Sequence, residues 1–191
     1  MRQEFSFNRT SCACPDCSVS CRFVPGYLVP DDLLRLYIAV NDGWPVFDAR
    51  RSMLEWAERH LRASPGALVA REDERTNRMT YFRIPTLVPA TQDGLPACHW
   101  LAKDGKCQVH DNAPFGCAFM DAHMGEAEGT NRSAAGLRAI AEDFRTNGMY
   151  ASVWIHLHAR GLIAASPEEK RAAMQKEIGT PYPITTENGS A

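Results

Sequence analysis

Cys12, Cys14, Cys17 and Cys21 fall within ten residues in the run CACPDCSVSC, and Cys98, Cys107 and Cys117 follow in CHWLAKDGKCQVHDNAPFGC. These are all seven cysteines of the 191-residue chain. Thiols this close together, set between the turn-forming Pro15 and Asp16 and two serines, surround a point in the way that zinc or an iron-sulfur cluster requires. The sequence therefore predicts a metal site. Its candidate ligands are the seven cysteines and His110, three residues after Cys107, which is placed to bind the metal or to donate to a sulfur.

A disulfide scaffold is the competing explanation, and it depends on compartment and parity. The opening MRQEFSFNRTSC has no apolar stretch that could act as a signal, and no later segment has the uninterrupted apolar length of a membrane span. A cytoplasmic protein is the expectation. An odd number of cysteines in a reducing compartment argues against disulfides, and 191 residues can bury a core without covalent staples. The composition is 45% hydrophobic and 23% charged with a formal net charge of -2, which describes an ordinary globular protein. A pI near 6.3 leaves no basic footprint for nucleic acid. No membrane and no nucleic-acid partner are expected.

The elements that must position the thiols read as a single domain, with an irregular cysteine segment over 1–28 and a second over 98–117. Pro30 with DDLLRLYIAV starts a helix whose first turn is acidic, ended by Asp42, Gly43 and Pro45; Asp31 and Asp32 read as capping residues. A second helix runs from about Phe47 to Arg62, with Met53, Leu54, Ala57 and Leu61 on one face. Three short β runs follow between Ala67 and Ala90 (ALVAR, MTYFRI and TLVPA), with EDERTNR as the turn between the first two. The turn Lys103, Asp104, Gly105 and Lys106 brings Cys98 and Cys107 together across a small hairpin, and Pro114 and Gly116 turn the chain before Cys117. Residues 133–178 are helical, and Ser166, Pro167 and Glu169 form the start of the last helix. The predicted class is α+β, mostly helical, around a small irregular β and metal core.

The ordered pieces Cys14-x-x-Cys17, Ser20-Cys21-Arg22 and Val24-Pro25-Gly26, then Cys98, Leu101, Asp104, Gly105, Cys107, His110, Pro114 and Cys117, resemble the YkgJ-type cysteine-cluster family. The resemblance spans roughly the first two thirds of the chain, and it implies a domain that chelates zinc or iron. That family's pattern is C-x-x-C-x-x-C-C early and C-x-x-L-x-x-x-G-x-C-x-[IV]-[YH]-x-x-x-P-x-x-C later. Two departures stand out. Ser20 replaces the first cysteine of the adjacent pair while Cys12 is an additional thiol, so Cys12 is expected to take over the lost ligand position. Ala118 and Phe119 follow Cys117 where the family often has arginine.

Three close thiols and a remote fourth are a recurring way to hold a cubane, so Cys14, Cys17 and Cys21 with one of Cys98, Cys107 or Cys117 suggest a 4Fe-4S cluster. The alternative is zinc: seven cysteines and His110 make eight ligands, enough for two closed sites. His99 points away from Cys98 on an alternating strand, His123 is read as a loop residue in MDAHMGEAEGTN, and His60, His156 and His158 are given no role. Asp121 with His123 is a weak acid-base pair, and the four tryptophans read as core or anchoring aromatics. Phosphate-binding glycine loops, H-E-x-x-H and a nucleophile elbow are absent. Three classes follow: a structural metal that presents a surface to a protein partner, an iron-sulfur oxidoreductase, or an enzyme that modifies another protein. Modules resembling this one occur in a protein lysine methylase, an activity that the motif alone does not carry over.

Overall fold

The computed structural model describes residues 5–10, 12, 14–41, 43, 48–73, 75–92 and 96–178. They form a mostly helical α+β fold: α1 Pro15–Phe23, α2 Pro30–Asn41, α3 Ala49–His60, the strands β1 Leu61–Asp73 and β2 Arg78–Pro89, then α4 Phe115–Ala118, α5 Glu126–Arg145, α6 Met149–Ala159 and α7 Pro167–Ile178. The two strands pair antiparallel from Leu61 opposite Pro89 to Asp73 opposite Arg78. No described helix is long and apolar enough to cross a membrane.

The core lies where the inner half of this ribbon meets α2, α3, α5 and α6. Trp56, Leu28, Leu36, Leu61, Leu87, Phe115, Ile140, Tyr150 and Leu157 are sealed there. The Tyr150 hydroxyl donates to the Leu28 carbonyl (2.9 Å) and accepts from the Leu87 N–H (2.6 Å), while Leu28 N–H donates to the Leu87 carbonyl (2.8 Å). The segment after α1 is thereby fixed to β2 through buried, satisfied polar groups.

Asp32 extends this framework towards the cysteines. Its buried carboxylate accepts from Val29 N–H (2.9 Å), which caps α2, and from Phe115 N–H (2.7 Å), and it pairs with Arg35. Arg35 also donates to the Ala113 carbonyl (3.0 Å). Burial pushes the Asp32 carboxyl up, against the pull of Arg35 and of the two N–H donors. One side chain thus joins the start of α2 to the turn that carries Cys117.

Several elements differ from the sequence reading. The entry segment contains α1, because Cys14 caps it and Pro15 supplies a pre-set first residue. The chain leaves α3 at His60, and Leu61 is already extended. The second and third β runs are one strand: Pro85 has no partner in the register and sits opposite the bulge between Ser64 and Ala67, so its missing N–H costs no ladder bond. α5 begins at Glu126, seven residues before the expected start, with Arg132 paired to Glu128 and bound to the carbonyls of Phe119 and Asn8. The capping box of α7 is as predicted: Glu169 N–H donates to Ser166 Oγ (3.1 Å) and Ser166 N–H to Glu169 Oε2 (2.7 Å). Asp42, Trp44, Pro45 and Phe47 lie outside the described residues.

Candidate metal centre

The first group of ligands forms at the N-terminus of α1. Cys14 is its N-cap, and its sulfur accepts from Cys17 N–H (3.5 Å), a thiol doing what a serine hydroxyl does at such a cap. Cys12 precedes this turn. The loop before α5 brings His123, whose Nε2 lies 3.2 Å from Cys14 Sγ, and Ala122 N–H donates to Cys17 Sγ (3.4 Å). Asp121 fixes both arms: it accepts from His123 N–H (2.9 Å) and from Thr10 Oγ1 (2.6 Å), and Thr10 Oγ1 accepts from Cys12 N–H (3.3 Å). Ligand atoms of Cys12, Cys14, Cys17 and His123 all lie within 4.8 Å of one another, close enough to hold a metal ion. Among the described residues no other set of three such side chains closes to that distance.

In this group Cys14 is the thiol that its surroundings favour as an anion. The Cys17 N–H and then the His123 ring lower the Cys14 thiol to about 6, so it is a thiolate at neutral pH. The thiolate in turn raises His123. Desolvation and the neighbouring Cys12 and Cys14 sulfurs hold Cys17 up at about 11.

A second group is assembled from remote segments. Cys21 comes from the last turn of α1, and its carbonyl accepts from Cys98 N–H (2.6 Å). Cys98 and Cys107 flank the expected hairpin, closed by the Leu101–Cys107 bridge and turned by Gly105 at φ 82°. Cys117 lies in α4, seated where Gly26 and Gly116 let two backbones touch: a Cβ on Gly26 would stand 2.3 Å from the Gly116 carbonyl carbon. Backbone N–H groups donate to these sulfurs, Trp100 and Leu101 to Cys98, Val109 to Cys107 and Gly26 to Cys117 (3.3 Å). Such donors stabilise sulfur-bound negative charge.

Burial raises all four thiols, Cys98 to about 12 and Cys117 further. Each of the six pairs among Cys21, Cys98, Cys107 and Cys117 also repels when charged, whereas Cys12, Cys14 and Cys17 act on one another. The seven thiols divide into two sets. Six of them, Cys12 and Cys17 as well as the quartet, line one cavity of about 560 Å3, with Trp100, His110, Met120 and Asp121 also in its wall.

Cys21 is not in the close set of Cys12, Cys14, Cys17 and His123. Along α1, at a rise of about 1.5 Å per residue, the Cys14 and Cys21 backbones are separated by about 10 Å. His123, read from sequence as a loop residue, reaches the first group; His110 is exposed on the cavity wall and belongs to neither close set. His99 turns from the sulfurs and its Nε2 meets His60 Nδ1 at 2.9 Å. His156 pairs with Glu58 (2.7 Å) and His158 stacks on Trp154. Asp121 positions His123, a role that only the folded contact with Thr10 makes visible. No protein-family model, curated protein or solved structure matches the chain.

Proposed function

We propose that this chain is a YkgJ-type cysteine-cluster metalloprotein with two closed centres: zinc held by Cys12, Cys14, Cys17 and His123, and a 4Fe-4S cluster held by Cys21, Cys98, Cys107 and Cys117. The observation that carries the reading is the division of the thiols along α1, with Cys17 in one set and Cys21 in the other. Zinc-sulfur bonds of about 2.3 Å place tetrahedral ligands about 3.8 Å apart, which suits a set already within 4.8 Å. The quartet lines one cavity, is partly desolvated, and has backbone N–H donors to Cys98, Cys107 and Cys117, which suits four iron corners that each take one thiolate. Cys12 fits the place that Ser20 leaves in the family pattern, since it completes the set with Cys14 and Cys17.

When bound, such a cluster supplies one-electron transfer. Four cysteines leave no iron corner open, and four protein ligands close the zinc, so neither centre offers a coordination position to a substrate. The reading is an electron-carrying or scaffolding protein that works with a protein partner, rather than an enzyme with a Lewis-acid metal.

Anaerobic purification followed by elemental analysis tests it. About four irons, four acid-labile sulfides and one zinc per chain are expected, with a paramagnetic signal on reduction. A colourless protein with two zinc ions and no iron would replace the cluster with a second structural zinc site and leave an interaction module.

A further inference from the structure

The outer group is the closely spaced one, and it is reachable from solvent: its three cysteines are half-buried and His123 is exposed. Cys14 and Cys17 are one turn apart in the run Cys-Pro-Asp-Cys at the start of α1, and their sulfurs lie within 4.8 Å. Thiols in a Cys-x-x-Cys run at a helix start are set to join as a disulfide. Resting on the reading of this group as a zinc site, we propose that it is an oxidant-released centre, in which a hydroperoxide links Cys14 to Cys17 and expels the ion.

The step balances as follows. The Cys14 sulfur attacks one oxygen of hydrogen peroxide, the O–O bond breaks, and the departing hydroxide takes a proton from solvent to give water. Cys17 then attacks the resulting sulfenic acid, forming the S–S bond and displacing a second hydroxide, which is protonated in the same way. Two electrons pass from the two thiolates to the peroxide. Cys12 and His123 are then the remaining donors, two where zinc takes four, and the ion leaves. Ala122 N–H loses its thiolate acceptor on Cys17, so the His123 loop detaches from α1.

The test adds about one equivalent of hydrogen peroxide per chain to the anaerobic holoprotein, follows zinc release with a chromogenic chelator and maps the cysteines by peptide mass. Release of about one zinc per chain with Cys14 linked to Cys17, reversed by dithiothreitol and added zinc, is the expected result. Retention of zinc, or release while Cys14 and Cys17 stay unlinked, overturns the switch. Holoprotein that carries no zinc at this group before peroxide is added overturns the zinc reading, and the switch with it.

Discussion

Cys17 and Cys21 sit one helical turn apart and are assigned to different centres in the proposed function, so single substitutions should separate the two proposed metals. Cys14→Ser or His123→Ala is expected to remove zinc and keep iron, while Cys98→Ser or Cys117→Ser should remove iron and keep zinc. Elemental analysis of the four variants checks this; joint loss of both metals in every variant would mean a single shared centre. All seven thiols were visible in the sequence because clustering is a local signal. His123 was not, because it is carried to Cys14 by the Asp121–Thr10 contact between residues 111 apart, and no spacing rule reports that. His60 gives a second residue-scale expectation. Burial, then His99 and Arg59, lower its imidazole to about 4 from 6.5, so the folded state favours the neutral ring. That contribution is complete above pH 6.5 and is lost as pH falls from 6.5 towards 4. For a half-exposed ring it amounts to about 1–2 kcal/mol. Urea unfolding at pH 7.5 and pH 5 should show a smaller acid loss in His60→Gln than in the parent chain.

Among the elements, the approach of the segment after α1 to α4 governs the quartet. Gly116 N–H donates to the Tyr27 carbonyl (2.9 Å), Gly26 N–H donates to Cys117 Sγ (3.3 Å), and a Cβ on either glycine would meet backbone that cannot rotate away. Gly26→Ala is expected to cost at least about 2 kcal/mol and to lower iron content while zinc is retained. Thermal unfolding with metal analysis decides it, and unchanged iron would show that the quartet tolerates the displacement. The helices α2, α3, α6 and α7 were legible because periodicity and capping residues are local. Hidden elements depended on distant partners. The first turns of α5 contain Gly129 and Thr130 and look like a loop, yet Arg132 ties them to the carbonyls of Asn8 and Phe119. α1 looked irregular because its cap is a cysteine, a residue that capping statistics do not favour.

At the scale of the whole molecule, the N-terminal segment is stitched across the later cysteine block before any metal is considered. Phe5 packs at a tilt against Phe115 (4.7 Å between ring centres), Thr10 N–H donates to the Ala118 carbonyl (2.7 Å), and Arg9 donates to the His110 carbonyl (2.8 Å). The helical α+β class followed from the sequence, but this crossing of the N-terminal segment over the middle of the chain did not, since aromatic and carbonyl partners a hundred residues away leave no periodic trace. α1 sits at the crossing and, in the proposed function, carries ligands of both centres. Ordering that helix to fill one position would prepay part of the entropy for the other, so the proposed two centres are expected to load cooperatively and with reciprocal gain. Zinc competition assays should give an affinity higher by a factor of about 5 to 150 when iron is already in place, whereas equal affinities would mean the strut is rigid before either ion arrives.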